Sequence, residues 1–227
     1  MLGLGSGLAL SGVTNDSVLD TIAGLQVWLQ NGSGVAVEQW NDSSGNGNHI
    51  TQSDSAKQAA LDQGGLEFDT DDEEQDVYDF TADVAVAVFT AFICIELDDA
   101  DGQELFSNSG TADFLKINHN ATTEFRIKKN DGAVDQLFNH STDVPAGAYV
   151  LMFRQNAGNT MTYGVNLDFE TATLSSSTAT TMTINQFGLA GSGGIDGTVL
   201  EVAVYNSTLT DDEATLVIND MSARCGL

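Results

Sequence analysis

Apolar residues along this chain alternate with polar ones or form short continuous runs, and helical spacing is nearly absent. The runs are rich in Val, Ile, Phe and Thr, and clusters of Gly, Asn, Asp and Ser separate them. Such a pattern is typical of β-strands joined by turns. It predicts strands over 25–30, 66–69, 88–97, 104–108, 113–118, 124–129, 135–140, 149–155, 160–166, 182–190 and 198–206.

One segment near the C-terminal end has the features of a helix. Thr210 followed three residues later by Glu213 is the pattern of a capping box, in which each residue bonds the backbone N–H of the other. Asp211 and Asp212 fall in the first turn, where the helix dipole favours negative charge. Because the strands are evenly spaced and no proline-rich linker interrupts them, we predict one antiparallel β-sandwich with a short C-terminal helix.

The first 20 residues differ from the rest, so we divide the chain into a Gly-rich arm over 1–20 and one sandwich domain over 21–227. The arm lacks the positive charges and unbroken apolar stretch of a signal peptide, and it is too short to span a membrane. Ordering such a segment costs more free energy than its few apolar side chains return, which favours docking on a partner. The side chains predicted to anchor it are Leu2, Leu4, Leu8, Leu10 and Val13.

The charge of the chain restricts its partners. There are 7 Lys and Arg against 33 Asp and Glu, which gives a formal net charge of −26. Such a surface repels nucleic-acid phosphates and anionic lipids, so neither nucleic-acid binding nor membrane insertion is expected. Dense carboxylates keep a protein hydrated. This property fits a protein in a salty medium or on a crowded repeating surface, and it is equally explained by a need for solubility.

Four segments resemble the concanavalin A-like, laminin-G-type jelly-roll family. They are GLQVWLQNGSGVAVEQWNDSSGNGNHITQ at 24–52, GGLEFD at 64–69, FTAFICIELDDADGQELFSN at 89–108 and GGIDGTVLEVAVYNSTLTDDEATLVI at 193–218. The resemblance implies an all-β, two-sheet jelly roll over about residues 21–227, preceded by an extended N-terminal arm. It leaves the function open, since this fold serves sugar binders, enzymes, adhesion modules and virion parts.

The stretch WNDSSGNGNHI, which begins at Trp40, is interpreted as a connection between two strands rather than a ligand site. Gly45 and Gly47 supply positive φ angles, and Asp42 caps free backbone groups. Trp28 and Trp40 are assigned to packing rather than to a sugar platform.

The motif that would carry glycosidase chemistry in this family is only half present. Such enzymes place Glu-x-Asp-x-x-Glu on one strand, so that the carboxylates share a face. Here Glu96 and Asp98 have the opening spacing, but a turn at Gly102 intervenes before Glu104. We therefore expect no enzymatic activity, and a glycoside hydrolase is the weakest alternative.

An acidic loop is the one candidate metal site. The weak calcium ligands are Asp69, Asp71, Asp72 and Asp76, whose oxygens suit a hard cation. The family resemblance adds that laminin-G-like domains often hold calcium at a sandwich rim. A solvated acidic loop without metal is the competing interpretation. No other cofactor is expected.

Within the family, short acidic chains are similar to accessory proteins of tailed phages, marine phages in particular. This implies a virion structural protein on the outside of the particle, as a capsid decoration or cement protein or a tail or fibre component. Its partners would be major capsid or tail proteins, and host-surface glycans a further ligand. Symmetric virion positions imply a homo-oligomer, with a trimer as the expected arrangement.

The second hypothesis is a carbohydrate-binding, lectin-like module, calcium-dependent if the acidic loop binds the ion, and extracellular if it is not on a virion. Such a module needs an exposed aromatic ring beside polar groups, and Tyr78, Tyr163 and Tyr205 are the candidates. The two hypotheses are compatible, because a lectin on a virion can bind host glycans.

Overall fold

A computed structural model describes residues 17–69, 75–129, 133–174, 180–188 and 193–227. Within these ranges the chain forms two antiparallel sheets packed face to face, with a C-terminal helix against one of them. The predicted all-β sandwich is therefore confirmed. The predicted anchoring residues of the arm, Leu2 to Val13, lie outside the described residues.

The described strands number seventeen, and eleven of them overlap the predicted ones. In chain order they are β1 (Leu25–Leu29), β2 (Val35–Ala36), β3 (Gln39–Trp40), β4 (Ile50–Thr51), β5 (Ala60–Asp62), β6 (Gly65–Phe68), β7 (Tyr78–Val86), β8 (Phe89–Leu97), β9 (Gln103–Ser107), β10 (Phe114–Ile117), β11 (Glu124–Lys129), β12 (Val134–Asn139), β13 (Gly147–Gln155), β14 (Thr160–Val165), β15 (Asp168–Thr173), β16 (Met182–Phe187) and β17 (Gly197–Tyr205). The described helices are α1 (Val18–Thr21), a 3₁₀ turn (Ser55–Lys57) and α2 (Asp211–Cys225).

Two sheets result from the pairing. Sheet A has eight described strands in the order β15-β14-β13-β8-β17-β6-β5, with β1 also pairing with β17. Sheet B has nine described strands in the order β12-β11-β10-β9-β16-β7-β4-β3-β2. The core between them is lined by inward-facing apolar side chains, among them Trp40, Phe68, Phe106, Phe125 and Phe153.

Both described α-helices lie on the side of sheet A that faces away from this core. Ala214, Val217 and Met221 of α2 pack with Phe92 and Tyr205 of sheet A in a second apolar cluster. The predicted capping box is confirmed, because Thr210 Oγ1 accepts from the Glu213 N–H and Glu213 Oε2 from the Thr210 N–H. Sheet A is thus covered on both faces, whereas no described helix covers the outer face of sheet B.

The first described residues belong to the body of the domain. Leu19 is fully buried in the cluster beneath α2, and the Ser17 hydroxyl donates to Asp220 Oδ2 at 2.8 Å. The last residues of the predicted arm, from Ser17 on, therefore pack against the sandwich. No described helix is both long and apolar enough to cross a bilayer.

The Asn/Asp/Gly stretch after Trp40 is a structural connection, as predicted. Asp42 is buried, and its carboxylate accepts from the N–H groups of Trp28, Ser44 and Asn48 at 2.8 to 2.9 Å. Gly45 and Gly47 have φ angles of 84° and 80°. Both tryptophans are packed inside, with Trp28 3% exposed and Trp40 fully buried.

Candidate functional site

The tyrosines proposed as sugar platforms are buried, so that prediction is wrong. Tyr78 and Tyr205 are fully buried and Tyr163 is 4% exposed. Each hydroxyl donates to a backbone carbonyl within the domain, those of Val37, Leu19 and Asn139 respectively. Their rings supply core volume, and their polar ends are satisfied internally.

The two glutamates of the incomplete glycosidase motif lie in different sheets. Glu96 is on β8 of sheet A, where its Oε2 accepts from the Gln63 side chain at 2.9 Å. Glu104 is on β9 of sheet B and pairs with Lys116. The predicted intervening turn is confirmed, and these carboxyl groups do not share one strand face.

The acidic loop is only partly described. Asp69 is exposed, and its N–H donates to Asp76 Oδ2 at 3.0 Å, while Asp71 and Asp72 lie outside the described residues. Asp69 and Asp76 line a cavity of about 670 Å³ together with Asp98, Asp99 and other polar residues. Among the residues that the structure describes, no group of three His, Cys, Asp or Glu side chains is arranged to hold a metal. The calcium site therefore stays a prediction.

The outer face of sheet B carries an aligned row of polar, aromatic and charged side chains. Cross-strand pairing places one residue from each of eight neighbouring strands side by side, on the face opposite the core. We call this the sheet B row; its members are Gln39, Thr51, Asp79, Gln186, Ser107, Phe114, Lys128 and Asp135. Ser107 is the buried member, at 2% exposure, and its hydroxyl donates to the Gly188 carbonyl.

One half of the row is suited to hydrogen bonding. The Gln186 amide donates to Asp79 Oδ1 at 2.9 Å, and Asp79 is itself exposed. Gln39, Thr51 and Asp79 line a cavity of about 430 Å³. Amide and carboxylate groups in one line offer both donors and acceptors to a ligand that carries hydroxyl groups.

Three positively charged side chains lie at the other half of the row. Lys116, Arg126 and Lys128 point outward from β10 and β11, on the same face as Phe114. The Arg126 guanidinium lies 5.4 Å and the Lys128 ammonium 5.2 Å from the ring centroid, which is the range of a cation–π interaction. We call these three cations with Phe114 the cationic patch.

Arg126 is held by two neighbours. Its Nε and Nη2 donate to the two carboxylate oxygens of Asp135 at 2.8 and 2.7 Å, which raises the pKa of Arg126 and lowers that of Asp135. Its Nη1 lies 2.8 Å from His119 Nε2. Because a guanidinium only donates, this imidazole nitrogen accepts and the ring is neutral. Burial, Arg126 and Lys116 all lower the pKa of His119.

Glu104 is a buried carboxyl group below the cationic patch. It is 8% exposed, and burial raises its pKa to about 7, although Lys116, Lys128 and Arg126 oppose the shift. The Lys116 side chain lies beside Gly102 and Gly193, and a Cβ atom on Gly193 would lie only 2.5 Å from the Lys116 Nζ. These glycines leave the space that the lysine occupies.

A signal for this face is present in the local sequence pattern. The alternation in EFRIKK places Arg126 and Lys128 on one side of a strand, and FLKIN does the same for Phe114 and Lys116. The local pattern does not show that these two strands pair with each other, or that they belong to the same sheet as Asp79 and Gln186.

Searches against family models and against curated proteins found no match. Solved structures do match. The sialidase of Trypanosoma rangeli in complex with sialic acid has a TM-score of 0.58 and 16% identity, over 89% of this chain and 33% of that one. The binding domain of botulinum neurotoxin DC in complex with rat synaptotagmin II has a TM-score of 0.59 and 11% identity, over 87% of this chain and 52% of that one.

These matches establish the fold alone, because their identity is low. The chain spans about a third of the sialidase and about half of the toxin binding domain. They also correct one prediction. We expected no enzymatic activity from the broken carboxylate spacing, but the same fold occurs within sialidases. The spacing test addressed one glycosidase motif only, so the prediction that the chain is not an enzyme is overturned.

Proposed function

We propose that the chain is a glycan-binding β-sandwich and that the sheet B row is its binding face. The observation that carries this proposal is the alignment of Gln39, Asp79, Gln186 and Phe114 on an outer sheet face that no described helix covers. Sugar hydroxyls both donate and accept, which matches amide and carboxylate groups, and an aromatic ring packs against the apolar side of a sugar.

The structural neighbours support the class of function. One was solved with sialic acid, and others are described as a toxin binding domain and a receptor binding domain. Each of those chains is longer than this one, so their ligands suggest candidates for this chain without fixing them.

Replacing Gln186 or Asp79 by Ala should weaken glycan binding about 3- to 10-fold each, since each change removes hydrogen bonds of ordinary strength. The ligand is first found on a glycan array, and its affinity is then measured by calorimetry. Asp83→Ala is the matched control, because Asp83 is exposed on the same strand, β7, but lies outside the row. Equal losses in Asp83→Ala and Asp79→Ala would place the site elsewhere, and an array without any bound glycan would refute the proposal.

We further propose that this module is displayed on a tailed-phage virion, with capsid or tail proteins and copies of itself as partners. The support is the net charge of −26, which keeps a crowded exterior hydrated, and the resemblance described above. The apolar arm, with Leu2, Leu4 and Leu8 among its residues, would be the anchor.

Deleting residues 1–16 tests the anchor. The cut stops before Ser17 because that residue and Leu19 are bonded and packed against α2. The truncated protein should keep the melting temperature of the sandwich but fail to enter particles, as measured by mass spectrometry of purified virions. Normal incorporation of the truncated chain would show that the anchor lies on the sandwich.

A further inference from the structure

We propose that the cationic patch makes this face selective for acidic glycans, with the carboxylate or sulfate group of the sugar bound between Lys116 and Lys128. This inference rests on the proposed glycan-binding function and adds the chemical class of the ligand and the residues that recognise it.

The first argument is the distribution of positive charge. The chain has 7 Lys and Arg in all, and three of them, Lys116, Arg126 and Lys128, point outward from two adjacent strands. With 33 acidic residues, most of the surface repels anions. A local group of cations on such a surface is the place where an anionic ligand is attracted, and it adjoins the hydrogen-bonding half of the row.

The second argument concerns which of the three cations have N–H donors that are not already used in hydrogen bonds within the protein. Arg126 already donates to Asp135 and contacts His119, so its function is to hold its neighbours in place. Lys128 is 3.6 Å from the same Asp135 carboxylate, which is longer than a good hydrogen bond. Among the described residues, the Lys116 ammonium has no ion-pair partner within 4 Å, although burial lowers its pKa.

The third argument is geometric. Phe114 pairs directly with Lys128 across the strands, and Lys116 is two residues further along β10 on the same face. The Lys128 ammonium lies 5.2 Å from the centroid of the Phe114 ring, and the Lys116 side chain leaves the same sheet face and extends beside Gly193. A sugar packed at this ring would bring an anionic substituent within reach of both lysines, while its neutral neighbours extend along the row towards Gln186 and Asp79.

Glu104 does not argue against an anionic ligand. It is the buried carboxyl group opposite Lys116 in the strand register, and because burial raises its pKa to about 7 it is less ionised at neutral pH than an ordinary glutamate. The other carboxylate at the patch, Asp135, is already engaged by Arg126 through both oxygens. Three cations therefore face two carboxyl groups at the patch, one of them only partly ionised at pH 7, and the patch keeps a net positive charge.

The test uses the full chain on an array of matched sets, each a neutral oligosaccharide beside its sialylated and its sulfated derivative. Acidic members should bind at least about tenfold more tightly than the neutral member, as charge-assisted hydrogen bonds do. Lys116→Gln and Lys128→Gln should each remove most of this preference, and Lys116→Gln, which lies outside the sheet B row, should leave neutral binding unchanged. Lys57→Gln is the matched control, since it removes the same charge from the 3₁₀ turn, outside sheet B.

The outcomes separate the two proposals. Preference for only the sialylated or only the sulfated member identifies the anionic group and supports the inference. Equal binding of all three members, or an acidic preference that survives both lysine changes, overturns it while glycan binding stands. If no member of any set binds, both the proposed glycan binding and the proposed selectivity for acidic glycans are refuted. A circular dichroism melt of each variant confirms that a lost preference does not reflect unfolding.

Discussion

Replacing Arg224 by Met should lower the free energy of unfolding by about 3–5 kcal/mol at pH 7, because it leaves a buried carboxylate without its cationic partner. The partner is Glu201, which is fully buried on β17. Arg224 Nε donates to both Glu201 oxygens, at 3.1 and 3.0 Å, and Nη2 donates to Oε1 at 2.7 Å. Without the guanidinium, the carboxylate keeps the Trp28 indole N–H at 2.6 Å as its main donor.

The same arginine joins elements that are distant in the chain. Its Nη1 donates to Asp220 Oδ2 at 2.6 Å and to the Ser17 hydroxyl at 3.1 Å, and its guanidinium lies over the ring of Trp28. It therefore ties α2, the first described residues and β1 to the outer side of sheet A. The loss should appear in urea unfolding as a lower midpoint.

Two further measurements test whether the loss of stability arises from the buried charge of Glu201. The double variant Arg224→Met with Glu201→Gln should recover a large part of the loss, since a neutral amide can still accept from Trp28. Burial already raises the pKa of Glu201, so the single variant should also be less destabilised at pH 5 than at pH 7. A loss below about 1 kcal/mol at pH 7 would mean that the carboxylate is solvated or neutral in the native protein.

Replacing Glu104 by Gln should stabilise the protein by about 2–3 kcal/mol at pH 8 and by almost nothing at pH 4. The pKa of Glu104 is raised by burial from its ordinary value of 4.5 to about 7 in the folded state. Between these two values the folded protein holds a proton that the unfolded chain has released. Stability is therefore lost as the pH rises through this window, and a glutamine, which cannot ionise, avoids that loss.

The charges around Glu104 decide how large the effect is. Lys116 on β10 and both Arg126 and Lys128 on β11 favour its ionised form, and they limit the rise in pKa. The measurement is urea unfolding of both proteins at pH 4 and pH 8. Glu67→Gln is the control, because Glu67 is exposed on β6 and its replacement should change stability by less than about 0.5 kcal/mol at either pH. If the Glu104→Gln variant is no more stable than the unmodified protein at pH 8, the raised pKa of Glu104 in the folded state is contradicted.

Local pattern predicted most of the secondary structure. The strand expected at 124–129 is Glu124–Lys129, and the expected capping box opens α2. These features depend on side chains a few residues apart, because strand alternation has a period of two and a cap acts within one turn. The strands that were missed carry weaker patterns: β2, β3 and β4 have two residues each, and β5 has three. Several exposed polar residues interrupt the apolar alternation of β7, and β15 has no buried residue.

The candidate site could not be obtained in the same way. Gln186 and Asp79 are 107 residues apart in the chain, and only the pairing of β16 with β7 places them side by side. The register on this face also depends on bulges between Ile184 and Gln186 and between Leu115 and Lys116. A shift of one residue in either pair would turn these side chains towards the core, so the site is a property of register and not of composition.

The sequence by itself therefore determined an acidic β-sandwich with a capped C-terminal helix, because alternation, turn residues and capping are local. Only the tertiary structure decided which sheet face is open. All nine residues of β17 are buried, since α2 covers the outer side of sheet A, and Tyr205 on this strand is a core residue rather than a sugar platform. Whether an outward side chain meets water, a helix or a ligand depends on elements packed from elsewhere in the chain, and no local pattern encodes that contact.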